Sequence, residues 1–190
     1  MSPLWRDEIG VFLSPRRIAL ARMKRGIRPS RVAERDIVID ARDAQNWEAA
    51  LSALANCLDD AAWQGANARL ILSDNWVRYC TVRWESQLSD EAERREHARL
   101  CMANIYGDVV AGWSITLSDT APGLDQVACG MPSALLSRAR ELLASRGLRL
   151  RSIQPHLVAA FNSWRDSLPR GDAWFVTLEE GSLAAAHFMP

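Results

Sequence analysis

The sequence predicts an α/β chain organised on a mixed sheet. Two observations predict this fold class. Three strand-like runs precede the first helical one, and strands then alternate with amphipathic helices until a last pair of strand-like runs. The resulting order, β-β-β-α-β-β-α-β-β-α-β-α-β-β, departs from a doubly wound parallel sheet, in which strand and helix alternate from the start.

The elements follow from local chemistry. Ile9-Gly10-Val11-Phe12-Leu13 is an apolar run ended by Ser14-Pro15-Arg16-Arg17, and Ile18-Ala19-Leu20-Ala21-Arg22-Met23 follows it. Two such runs across a short Ser-Pro turn predict a β-hairpin, because proline fixes φ and needs no ladder donor. Val32, Ile37, Val38 and Ile39 predict a third strand over 31–40. Trp47, Ala50, Leu51, Leu54, Leu58 and Ala61 recur at three- and four-residue steps, predicting a helix with Asp43 or Gln45 near its start and a core-facing Trp47. Leu70-Ile71-Leu72, closed by Ser73-Asp74-Asn75, and the alternating run 77–83 predict two more strands.

Ser89, as N-cap, and the acidic residues after it open a second helix that runs to Tyr106 and stops at Gly107. Strands are predicted at 109–117 and 125–130, separated by Ala121-Pro122-Gly123. Pro132 stands near the start of a third helix with Leu135, Leu136, Ala139, Leu142 and Leu143 on one face, and Gly147 closes it. A strand over 148–153, a helix over 155–165 and a hairpin about Gly181 complete the chain. The bounds predicted are a core of 1–83 and 148–190, with a small α+β insertion at 84–147.

Composition excludes several function classes. Across 190 residues the 23 basic side chains balance the 23 acidic ones, which argues against a chain that wraps nucleic acid by neutralising phosphates. The only lysine, Lys24, lies in Met23-Lys24-Arg25-Gly26 and cannot serve a Walker loop. The sequence holds no G-x-G, no G-x-S-x-G and no H-E-x-x-H, which removes the Rossmann, kinase-loop, hydrolase-elbow and zincin signatures. Cys57, Cys80, Cys101 and Cys129 are scattered without C-x-x-C and read as reduced thiols of a cytosolic protein. Charge interrupts the N-terminus before any apolar run begins. The longest uncharged stretch, 152–164, is too short to span a membrane.

The zero net charge hides a polarity. Residues 1–35 carry nine basic and three acidic side chains, net +6, and the remainder carries net −6. This reads as a solvated arginine-rich hairpin or as a basic face for an acidic partner or anionic headgroups.

The N-terminal hairpin, third strand, helix and late second hairpin resemble the first lobe of the actin-like ATPase (ribonuclease H-like) fold. Ile9 to Met23, Leu72-Ser73-Asp74-Asn75-Trp76-Val77-Arg78-Tyr79, Arg83-Trp84, Leu142 to Leu148, Ser152-Ile153-Gln154-Pro155 and Ala159-Ala160-Phe161-Asn162 carry a closer resemblance. It is to the PilM-like proteins of type IV pilus assembly and the cytoplasmic region of the type II secretion protein GspL. In nucleotide-binding members of the superfamily both hairpins carry D-x-G turns. Here Phe12, Leu13, Ser14 and Pro15 stand at the first, and Thr177, Leu178 and Glu179 at the second. A phenyl ring does not ligate magnesium, Pro15 lacks a backbone donor and Glu179 repels phosphate. The resemblance places an adenine-holding second lobe beyond Pro190.

The resemblance therefore implies a pseudo-ATPase: a non-catalytic cytoplasmic scaffold with no cofactor and no catalytic or metal residues. It would lie under the inner membrane and bind a membrane-protein tail or the assembly motor. The alternative is a sugar-kinase-like ATPase with divergent phosphate motifs. Trp76, Arg78, Tyr79, Arg83 and Trp84 are the candidate partner-binding residues, in a groove between core and insertion, because tryptophan and arginine dominate binding hot spots. Ordinary packing with solvated arginines competes with that reading. His97 and Cys101, four apart on a helix, fall short of a zinc site. His156 lacks any specific sign of a hydrolase triad, and His187 reads as structural.

Overall fold

The computed structural model describes residues 6–26, 29–40, 45–88, 90–168 and 171–188. The chain divides into two compact units, Met1–Trp76 with Arg138–Pro190, and Val77–Ser137.

The larger unit is organised on a five-stranded sheet in the order β3-β2-β1-β4-β8. Its strands are β1 (Glu8–Leu13), β2 (Arg17–Lys24), β3 (Ser30–Val38), β4 (Asn67–Leu72) and β8 (Arg149–Pro155). β1, β2 and β3 pair antiparallel, whereas β4 runs parallel to both β1 and β8. The mixed sheet predicted from the element order is thus the one observed. Alternation along β1 buries Ile9, Val11 and Leu13 completely, each burial stabilising the fold by about 1.5–3 kcal/mol. Helix α1 (Trp47–Leu58) packs on β1 and β2 and buries Ala50, Leu51, Leu54, Cys57 and Leu58. Its cap is Asn46, whose Oδ1 accepts from the Glu48 N–H at 3.0 Å. The sequence favoured Asp43, outside the described residues, or Gln45. Trp47 is half-buried and not part of the core.

Helix α4 (His156–Trp164) packs on β4, β8 and β9. The hairpin β9 (Ala173–Glu179) and β10 (Ser182–Phe188) forms a separate two-stranded sheet. One face of this hairpin carries Trp174, Val176, Leu178 and Leu183, all exposed.

The smaller unit holds a three-stranded antiparallel sheet in the order β5-β7-β6, of β5 (Arg78–Val82), β6 (Trp113–Leu117) and β7 (Gln126–Pro132). Helix α2 (Glu91–Tyr106) covers it, burying Ala98 and Met102 against Cys80, Val82, Ile115 and Ala128. The unit begins at Val77, earlier than the predicted 84, because β5 pairs with β7 and has no partner in the larger sheet. Its N-cap is Asp90, which forms a capping box with Glu93; Ser89, the predicted cap, lies outside the described residues. The predicted strand over 109–117 is shorter, since Gly107–Gly112 forms 3-10 turns before β6.

Helix α3 (Ser133–Ser145) crosses the division between units. It ends in a Schellman motif: Leu148 N–H bonds the Leu143 carbonyl and Gly147 N–H bonds that of Ala144, each at 3.0 Å. Gly147 takes φ 69°, a conformation that favours glycine.

Candidate functional site

In the larger unit the two hairpins face a cleft of about 590 Å³, lined by Phe12, Pro15, Arg16, His156, Leu178 and Glu179, among others. The resemblance aligns these two turns with phosphate-binding turns, whose backbone donors would face the phosphate. Ser14 N–H donates to the Arg17 carbonyl at 2.9 Å, and Arg17 N–H donates to Ser14 Oγ at 2.9 Å. Pro15 has no N–H. The turn thus uses the N–H groups of Ser14 and Arg17 on itself. Phe12 packs its ring edgewise on His156, centroids 5.1 Å apart.

The second turn is tied to the first by an exposed Arg16–Glu180 ion pair. Glu179 points inward. Its Oε1 lies 2.8 Å from His156 Nδ1 and accepts the Asp74 N–H at 3.0 Å, while Oε2 accepts Ser73 Oγ–H. Burial alone would raise the Glu179 carboxyl, but the hydrogen bonds from His156, Ser73 and Asp74 outweigh it and hold the pKa below its usual value. The same bond from Glu179 raises His156 against its own desolvation.

Asp74, 4% exposed, completes this network. Its Oδ2 accepts the Leu157 N–H at 2.9 Å and the Thr177 hydroxyl at 3.1 Å. The physical reason lies in Pro155, the residue before α4, which has no side chain able to cap a helix. Asp74, from the 3-10 turn that follows β4, supplies the missing cap across the fold. One buried aspartate thereby joins that turn to α4 and β9.

Ligand atoms of Asp74, His156 and Glu179 lie within 4.8 Å of one another, close enough to share a cation. Their observed bonds, however, run to donors within the protein. The group is not arranged as a nucleophile with its base, which would put His156 against a hydroxyl. Here His156 and Ser73 both hold the Glu179 carboxylate.

The residues singled out from the sequence are strung along 76–84. Trp76 is buried in the 3-10 turn Asp74–Trp76 of the larger unit. Arg78 and Tyr79 are half-buried neighbours on β5, so their side chains leave opposite faces of the sheet. The Arg78 guanidinium donates to the Val77 carbonyl at 2.8 Å, and the Tyr79 carbonyl accepts the Tyr106 hydroxyl at 2.8 Å. Arg83 and Trp84 follow the strand and are exposed. His97 Nε2 and Cys101 Sγ do meet, 3.6 Å apart on α2, and His187 stacks on Trp174 beside Asp172. The Asp74–Glu179 network leaves one legible sign in the sequence, a helix beginning Pro155-His156 with no cap of its own.

No family model and no curated protein matches this sequence. The fold does have solved counterparts. The chain matches the cytoplasmic domain of EpsL, an inner membrane component of the type II secretion system of Vibrio cholerae, with TM-score 0.64 at 11% identity; the match covers 96% of this chain and 68% of that one. A PilM–PilN type IV pilus biogenesis complex gives TM-score 0.68 at 14% identity, over 96% and 58% of the respective chains. A Bacteroides thetaiotaomicron protein with actin-like ATPase fold and unknown function gives 0.60 at 10% identity, over 97% and 66%. The chain thus spans between 58% and 68% of the length of these neighbours. At such identities the likeness is one of fold, and at that level it agrees with the resemblance read from the sequence. The chain is similar in fold to the EpsL cytoplasmic domain, to the PilM–PilN complex and to a protein with actin-like ATPase fold, over part of the length of each.

Proposed function

We propose that the chain is a non-catalytic scaffold of an inner-membrane assembly platform of the type IV pilus or type II secretion kind. On this reading it lies in the cytoplasm at the inner membrane and binds a membrane-protein cytoplasmic tail or the assembly motor. The observation that carries the proposal is the fold match to EpsL and PilM over 96% of this chain. Those neighbours belong to a type II secretion system and to a type IV pilus biogenesis complex.

The cleft supports the pseudo-ATPase half of the reading. Binding a polyphosphate rests on backbone N–H groups and a cation between the hairpins. Ser14 and Arg17 use their N–H groups within the turn, Pro15 has none, and Glu179 adds negative charge held by His156. Among the described residues no helix is long and apolar enough to cross a membrane.

The test is titration of the full chain with a synthetic cytoplasmic tail of a pilus inner-membrane protein, and separately with the N-terminal domain of a secretion motor. Saturable binding to either is expected, weakened by Arg78→Ala, Arg83→Ala or Trp84→Ala. Unchanged affinity in all three variants discards residues 76–84 as the site. Binding to neither partner, together with saturable binding of magnesium ATP, overturns the scaffold.

A further inference from the structure

The smaller unit carries an open sheet edge. Among the described residues β6 pairs with β7 on one side and with no strand on the other. Ser118 N–H donates to the Val127 carbonyl at 2.8 Å, which makes that pair hydrogen-bonded within the register that sets Trp113 opposite Pro132 and Leu117 opposite Ala128. In an antiparallel ladder, alternate residues turn their backbone groups toward and away from the partner. Ser114 and Thr116 therefore face β7, and Trp113, Ile115 and Leu117 face outward. Two observations agree with this parity. Pro132, which has no N–H, sits opposite Trp113, where the ladder requires none. The Trp113 carbonyl is reached from outside the ladder by Arg99, at 3.4 Å.

Trp113 is thus provided for, since its N–H also bonds the Val110 carbonyl. Ile115 and Leu117 each direct one N–H and one C=O into a groove of about 590 Å³. Its facing wall is α2, which contributes Arg94, Arg95 and Arg99; Glu91 and Asp119 also line it. The Arg95–Glu91 pair is solvent-exposed on both sides, so a competing carboxylate exchanges for Glu91 at little cost.

The geometry points to an extended acidic segment of a partner protein that adds to β6 as a fourth strand. Its backbone pairs with Ile115 and Leu117, and its carboxylates reach Arg95 and, beside it, Arg94, whose guanidinium also donates to the Leu88 carbonyl at 3.3 Å. Strand addition supplies affinity through main-chain bonds, and the arginine wall selects the charge. The surface lies wholly within Val77–Ser137, on the β6 edge and away from β5, which carries Arg78 and Tyr79. The rival account is that the arginines simply protect the edge from pairing.

The test is NMR titration of the full chain with an eight-residue peptide alternating glutamate and valine. Saturable one-to-one binding is expected, with amide exchange slowed at Ile115 and Leu117 and little changed at Ser114 and Thr116, which already bond β7. Methylating the alternate peptide nitrogens that face the edge should weaken binding at least tenfold. Arg94→Ser with Arg95→Ser should do the same while leaving the spectrum folded. Absence of binding overturns the proposal. So does equal binding by the methylated peptide or by a lysine–valine peptide, or an unchanged exchange rate at Ile115 and Leu117.

Discussion

His156 Nδ1 lies 2.8 Å from Glu179 Oε1, and this contact joins the start of α4 to the second hairpin. The two groups shift each other in opposite directions, His156 up and Glu179 down. The His156 contribution to stability is complete below its usual value of 6.5 and is lost as pH rises through the raised one. The Glu179 contribution is complete above its usual 4.5 and is lost as pH falls through the lowered one. The pair therefore stabilises the fold most between about pH 4.5 and 6.5. Glu179→Gln should cost roughly 2 kcal/mol in that window. Urea unfolding of both proteins across pH should show the difference shrinking on either side; a pH-independent gap contradicts the pairing.

Asp74→Ala removes a helix cap, strands the Leu157 N–H in the interior and leaves the Thr177 hydroxyl only the Ala184 carbonyl, at 3.5 Å. A loss of about 2–4 kcal/mol is expected, combining the cap with the lost bonds. Thr177→Val, which removes only one of the two bonds, should cost less, about 1 kcal/mol. Equilibrium unfolding decides. Equal costs for the two variants would show that Asp74 is not the shared anchor.

Gly130 limits the packing of the smaller unit through space, not through backbone angle. A Cβ placed there meets the Trp113 ring at 2.7 Å and the Met102 methyl at 3.0 Å. Gly130→Ala should destabilise the unit by about 1–3 kcal/mol. Intrinsic fluorescence should report a displaced Trp113, and an unaltered emission spectrum with unaltered stability would argue against this packing.

The outer face of β9 and β10 makes a different prediction. Leu178 and Leu183 pair across the hairpin and are 72% and 64% exposed. Replacing both with threonine should leave stability within about 0.5 kcal/mol while reducing binding of a hydrophobic dye. A large loss of stability would mean that this face is packed.

Much of the fold was legible because its elements are strongly patterned. The β1–β2 hairpin is announced by Ser14-Pro15 between two apolar runs, and α1 by Leu51, Leu54 and Leu58. The division between units was less so. Nothing local in Arg78-Tyr79-Cys80-Thr81-Val82 says that the strand pairs with β7 and not with the larger sheet. The site was least legible, because its contacts are long-range. Asp74 meets Leu157 and Thr177 from distant parts of the chain, and sequence spacing carries no record of that. The degenerate turns were readable, since Phe12, Pro15 and Glu179 stand where a phosphate site needs other chemistry. The inward bonding of Glu179 required the folded chain.

Calorimetric titration of the full chain with a synthetic cytoplasmic tail of a pilus inner-membrane protein, with and without magnesium ATP, tests the scaffold most directly. Saturable tail binding of equal affinity in both conditions is expected, with no saturable heat from magnesium ATP alone. Saturable magnesium ATP binding, with tail binding absent or dependent on the nucleotide, would contradict it.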